Sequence, residues 1–157
     1  MKILGIDPGS HRLGYAILEQ GKKNTRPLIL EYGVLEVKAN TPSPENLLIL
    51  KNGLSRLIQK FEPELASIEK LFFHKNAKTA VNVYEARGVV LLQLHEAGIK
   101  ILQPTVSQIK KGITGKGTAS KKDLKSALEF ILGEKLENID DSWDAIAAAF
   151  VGLSMDR

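Results

Sequence analysis

An α/β fold, a mixed β-sheet flanked by helices, is what this sequence predicts, on two observations. Three short strand-like segments come first, joined by linkers too short for helical crossovers, and helix and strand then alternate along the rest of the chain. The 157 residues, 43% of them hydrophobic, are enough for one substantial core and too few for two ordinary ones, so residues 1–157 read as a single domain.

Ile3 to Ile6, Gly14 to Leu18 and Leu28 to Val37 are rich in Ile, Leu, Val and Tyr, and are broken by Pro8-Gly9 and by the polar turn Gly21 to Asn24. They read as consecutive antiparallel strands. Pro44 and Glu45 then open a helical pattern in which Leu47, Leu48, Leu50, Leu54, Leu57, Ile58 and Phe61 recur near a three-to-four residue period, up to the stop at Pro63. A strand follows at Leu65 to Glu69, a long helix at Ala77 to Ala97 ending on Gly98, and a strand at Ile99 to Leu102. Thr105 to Lys111 forms a short segment, and the polar stretch GITGKGTAS reads as a loop before a helix at Ser120 to Leu132. The last helix covers Asp141 to Leu153. No internal repeat or low-complexity tract is visible.

The chain has no cysteine, which excludes disulfides, thiolate metal sites and cysteine nucleophiles. No apolar run approaches the length of a signal h-region or a membrane span, so a soluble, cytoplasmic protein without a membrane partner is expected. The net charge of +4 suits an anionic partner and equally suits plain solubility.

Carboxylates fall at the ends of these elements. Asp7 closes the first strand in LGID, Glu69 closes the fourth in ASIE, and Asp141 and Asp144 stand one helical turn apart. If the first and fourth strands are neighbours and the last helix crosses beside them, the four acids converge. Such a cluster repels itself unless cations occupy it, and its hard oxygen donors favour Mg²⁺ or Mn²⁺. The plainer reading also stands: a strand-end acid serves as a turn cap, and Asp140 and Asp141 as helix caps.

Between Ile109 and Lys125 the chain carries Lys110, Lys111, Lys116, Lys121, Lys122 and Lys125 against a single acid, Asp123, with glycines at 112, 115 and 117. Lysines on glycine-rich backbone make a phosphate-contact surface, and the same composition fits a solvated loop. Acids that hold metal and bases that hold phosphate are complementary parts of one reaction. Two ions about 3.5 to 4 Å apart activate a water and stabilise the leaving oxygen in phosphodiester hydrolysis.

Three blocks in order now identify a resemblance. GIDPG with Gly14-Tyr15, IEKLFFHKNAKTAVNVYEARG and DSWDAIAAA resemble the RuvC family of Holliday junction resolvases, over nearly the whole chain. GIDPG alone is shared with actin-like ATPases and other ribonuclease H-like proteins; the ordered set of three is specific. The resemblance implies a ribonuclease H-like fold and a homodimer. It implies Mg²⁺-dependent, paired nicking of two like-polarity strands of four-way junction DNA, and partnership with the RuvA and RuvB branch-migration proteins. It carries catalytic and metal-binding roles onto Asp7, Glu69, Asp141 and Asp144. It also matches Lys110 and Lys121 to bases near the scissile phosphate, and Phe72 to an aromatic that stacks at the junction centre. Lys111, Lys116 and Lys122 extend the expected DNA-binding surface.

From the residues alone Phe72 or Phe73 is equally a core side chain, and His74, without a second His at ligand spacing, reads as a solvated turn residue. Trp143 is expected to pack inward with Ile146, Ala147 and Phe150. Gly88 inside a helix marks a close approach, either to the sheet or to a second subunit. Three other functions compete. An actin-like ATPase needs a second phosphate loop and an adenosine site that this chain does not display, a YqgF-like relative lacks the full second and third blocks, and a non-catalytic junction-binding protein would have lost some of the acids.

Overall fold

The computed structural model describes residues 1–21, 25–72, 77–133, 135–136 and 140–156, and only the backbone of 77–79 and 140. These form β1 (Lys2–Asp7), β2 (Arg12–Glu19), β3 (Leu28–Glu36), α1 (Glu45–Phe61), β4 (Leu65–Ile68), α2 (Ala77–Glu96), β5 (Lys100–Leu102), α3 (Val106–Thr114), α4 (Lys121–Leu132) and α5 (Asp140–Met155). The strands make one five-stranded sheet in the order β3-β2-β1-β4-β5. β1, β2 and β3 pair antiparallel, as their short linkers require, whereas β4 and β5 join parallel after helical crossovers.

Period-two alternation sorts the two faces. On β1, Ile3 packs with helices α3, α4 and α5, while Leu4 and Ile6 pack with α1 and α2. β2 divides the same way, Ala16 and Leu18 to the α5 side and Leu13 and Ile17 to the other. A strand buried on both faces reads as a continuous apolar run, which is the reason LGID carries no polar residue before its aspartate. The α5 side of the sheet is lined by small residues. A Cβ built on Gly5 would lie 2.0 Å from the Ala145 carbonyl oxygen, and one on Gly14 would lie 2.1 Å from that of Asp141. Helix α5 answers with its own buried alanines, Ala145, Ala147, Ala148 and Ala149, so backbone approaches backbone.

The structure corrects one sequence expectation. The stretch from Gly112 is not loop at its start: α3 continues to Thr114, because Ile109 and Ile113 are both buried, and Gly115 at φ +77° ends it. Gly112 is instead a contact glycine, where a Cβ would sit 2.9 Å from Val151 Cγ2. Of the two approaches offered for Gly88, the one to the sheet is absent: among the described residues a Cβ there would meet nothing within 4 Å. Trp143, half-buried, packs against the core that holds Ile146 and Ala147, as expected, with Lys125 Nζ 3.9 Å from its ring centre. Phe73, His74, Lys75 and Asn76, and Lys22 to Asn24 of the polar turn, lie outside the described residues.

Gly5→Ala tests the packing of α5. The added methyl forces the helix away from β1, and overpacking of this kind costs about 1 to 3 kcal/mol, so the Tm should fall by about 3 to 10 °C. An unchanged Tm in calorimetry would show that α5 does not rest on this strand.

Candidate active site

The sheet alone brings the first two acids together. Ile3, Gly5 and Asp7 alternate onto the α5 face of β1, and Leu65, Ser67 and Glu69 onto the same face along the β4 line. Ile6 pairs with Ile68 in the parallel register, so one further residue sets Asp7 beside Glu69. Asp7 also pairs with Gly14, and it is over Gly14 that the first turn of α5 sits. That turn carries Asp141 and Asp144.

The electrostatics record this convergence. Burial pushes the Asp7 carboxyl up to about 7, Asp144, Glu69 and Asp141 add to the rise in that order, and Lys121 opposes it. Cations meet two of the acids. Arg12 Nε donates to Asp141 Oδ2 at 2.7 Å while its Nη1 donates to Glu36 Oε1 at 2.6 Å, and Lys121 Nζ stands 3.6 Å from Asp144 Oδ2. Among the described residues no three acids or histidines have the spacing of a ready-made metal cage. The donor set nonetheless fits a hard divalent cation: burial and then the three neighbouring acids raise the Asp7 carboxyl to about 7, and Mg²⁺ commonly takes one or two carboxylates plus waters and substrate oxygens.

Asp7, Pro8, Gly9, Ser10, Arg12 and Asp141 border an open cleft of about 340 Å³. Its floor is held from below. Asn46, buried, donates from Nδ2 to the Ser10 carbonyl at 2.9 Å. His11 Nε2 lies 2.9 Å from the Thr41 carbonyl, and its Nδ1 lies 3.1 Å from Ser10 Oγ. A carbonyl only accepts, so Nε2 carries the proton and Nδ1 accepts from the serine hydroxyl.

Of the lysines singled out in the sequence, Lys121 stands at one of the four acids, Asp144. It opens α4 beside the capping box of Ser120 and Asp123, so Lys121 adds its charge at the positive end of that helix. Lys122 is exposed in the same turn, Lys116 and Lys111 are exposed before it, and Lys110 is half-buried on α3. Lys125 is engaged by the Trp143 ring and lies 3.9 Å from Glu129. Phe72 is 57% exposed with Lys70 Nζ 5.9 Å from its ring centre, which removes it from the core.

Sequence reasoning missed Arg12, His11 and Asn46. For Arg12 a signal was present: it shares the parity of Gly14, Ala16 and Leu18, the β2 face that meets α5.

A family model described as crossover junction endodeoxyribonuclease RuvC matches residues 3–152. The crossover junction endodeoxyribonuclease RuvC of Petrotoga mobilis is 42% identical over 151 residues, 96% of this chain and 91% of that protein. The one from Chloroflexus aggregans is 38% identical over 150 residues, 95% of this chain and 90% of its own. The solved structure of T. thermophilus RuvC in complex with a Holliday junction substrate superposes with a TM-score of 0.92 at 27% identity, covering 100% of this chain and 95% of that one. A fowlpox virus resolvase, solved with Holliday junction DNA, shares the fold at a TM-score of 0.63 and 13% identity.

The crowding around Asp7 has a pH signature. Folded Asp7 keeps its proton up to about 7, whereas the unfolded chain releases it near 3.8. Between those values the folded state binds the extra proton, so stability falls as pH rises through the window and levels off above it. In EDTA, Asp7→Asn should flatten this fall and raise the Tm at pH 8 by on the order of 5 °C. Superimposable profiles for parent and variant would contradict the crowding.

Proposed function

The chain belongs to the RuvC family of crossover junction endodeoxyribonucleases, which are metal-dependent nucleases, and on that premise we propose that it resolves four-way DNA junctions by paired hydrolysis of phosphodiester bonds in two strands of like polarity. The observation that carries this reading is the Asp7 carboxyl, raised to about 7 by burial and by Asp144, Glu69 and Asp141. A lone capping aspartate would have no such surroundings.

Asp7, Glu69, Asp141 and Asp144 are the catalytic and metal-binding residues in this reading, holding two Mg²⁺ ions, with Mn²⁺ able to replace them. Bound ions of this class supply a Lewis acid that lowers the pKa of water and stabilises the leaving oxygen. Lys121, at Asp144 and at the start of α4, neutralises charge on the reacting phosphate, assisted by Lys110. Lys111, Lys116 and Lys122 attract the DNA backbone and contribute to the salt dependence of binding. Phe72, exposed and three residues beyond Glu69, stacks on an unpaired base at the junction centre, a contact worth about 1 to 3 kcal/mol.

Two matched cuts require two matched sites, which a homodimer supplies. Val81 and Leu92, 56% and 59% exposed, flank the open Gly88 on α2, and this face suits the subunit contact. The single nuclease domain of residues 1–157 acts in the cytoplasm with the RuvA and RuvB branch-migration proteins.

The test is cleavage of a four-way junction, compared with duplex, nicked and single-stranded DNA, in Mg²⁺. The parent should cut the junction selectively, and Asp7→Asn or Asp144→Asn should lose at least about 10²-fold in single-turnover rate while retaining junction binding. In the same assay at saturating DNA, Lys121→Ala should cut slowly and Lys116→Ala near the parental rate. A parent that binds junctions without cutting them would leave a junction-binding protein.

A further inference from the structure

We propose that Arg12 is a placeholder cation for the metal site, bound to Asp141 when no ion is present and drawn back onto Glu36 when an ion enters. Three observations carry it. Arg12 is bidentate across two acids of different elements, with Nε on Asp141 of α5 and Nη1 on Glu36 of β3. Its tether is fixed by the sheet, because Arg12 and Glu36 are register partners at the ends of β2 and β3. All three side chains are open to solvent, with relative exposures of 55% for Arg12, 63% for Glu36 and 34% for Asp141.

The exposure decides how the contact behaves. Solvent-exposed ion pairs contribute little to stability, so the Arg12 contact to Asp141 adds little to the fold and is easily exchanged. What it does supply is a positive charge at a carboxylate already crowded by others. A monovalent guanidinium on a fixed tether offsets that repulsion without blocking a divalent ion, which interacts more strongly with the same oxygens. Glu36 gives the displaced guanidinium a partner, so releasing Asp141 does not leave the arginine unpaired. Arg12 is therefore a positioning residue: it acts through Asp141, whose affinity for cation it sets.

This inference rests on Asp141 being a metal ligand, and the test separates the two claims. Mn²⁺ binding to the DNA-free protein is measured by electron paramagnetic resonance for the parent, Arg12→Gln, Glu36→Gln, the double variant and Asp141→Asn. Removing the competitor should tighten Mn²⁺ binding by about fivefold in Arg12→Gln, the size expected for one unit charge a few ångströms away in solvent. Removing the tether should weaken binding in Glu36→Gln, because the guanidinium then belongs to Asp141 alone. In the Arg12→Gln background, Glu36→Gln should lose most of its effect, a coupling that simple loss of negative charge does not give. Weaker Mn²⁺ binding in Arg12→Gln, or additive effects in the double variant, would overturn the placeholder role. Parental binding in Asp141→Asn would overturn the ligand assignment, and the placeholder role with it.

Discussion

Backbone-to-backbone contact between α5 and the two central strands is the constraint on which the rest of the structure depends. Gly5 and Gly14 leave no room for a side chain under α5, and the helix presents alanines in return. An ordinary helix-on-sheet packing, with large side chains between the layers, would hold the first turn of α5 farther from the sheet. Here the carbonyl of Asp141 rests directly over Gly14, whose pairing partner is Asp7. The small residues are thus what bring the acids of the helix to the acids of the strands. Apolar burial elsewhere, in two cores on opposite faces of the sheet, provides the rigid base.

The consequence is an electrostatic conflict built into a well-packed fold. A carboxylate at the end of a central strand loses water, gains three like-charged neighbours, and is left with a raised pKa. Proteins violate local rules of stability mainly where function requires it, and this cluster is such a place. The exposed cations around it, Arg12 at Asp141 and Lys121 at Asp144, soften the conflict without removing it. Of the lysines on α3, α4 and the segment between them, Lys121 reaches the acid cluster, at Asp144.

Much of this was legible in the residues. Strand and helix identities followed from periodicity, because β1 and β4 are apolar on both faces and α1 carries leucines at helical spacing. Asp7 and Glu69 stood out because each ends an apolar strand run, and Asp141 and Asp144 because they stand one helical turn apart. Other features depend on what lies across the fold. Gly112 read as loop because its neighbours are glycine and lysine, whereas burial of Ile109 and Ile113 keeps it helical. The meaning of Gly5 and Gly14 depends on where α5 lands. The ion pair of Arg12 with Asp141 joins residues 129 apart in sequence, so β2 parity puts Arg12 on the face that meets α5 but does not name its partner.

Convergence of the four carboxylates requires that Asp7 feel the other three, and the most direct measurement is the carboxyl pKa itself. Nuclear magnetic resonance titration of protein labelled with ¹³C at aspartate side chains, first in EDTA and then in Mg²⁺, reads it without reference to activity. Asp7 should titrate near 7 in EDTA and fall below the ordinary carboxylate range once Mg²⁺ is added. An Asp7 that titrates near 3.8 in EDTA, or that ignores Mg²⁺, would contradict the convergence of carboxylates on which the assignment of this site rests.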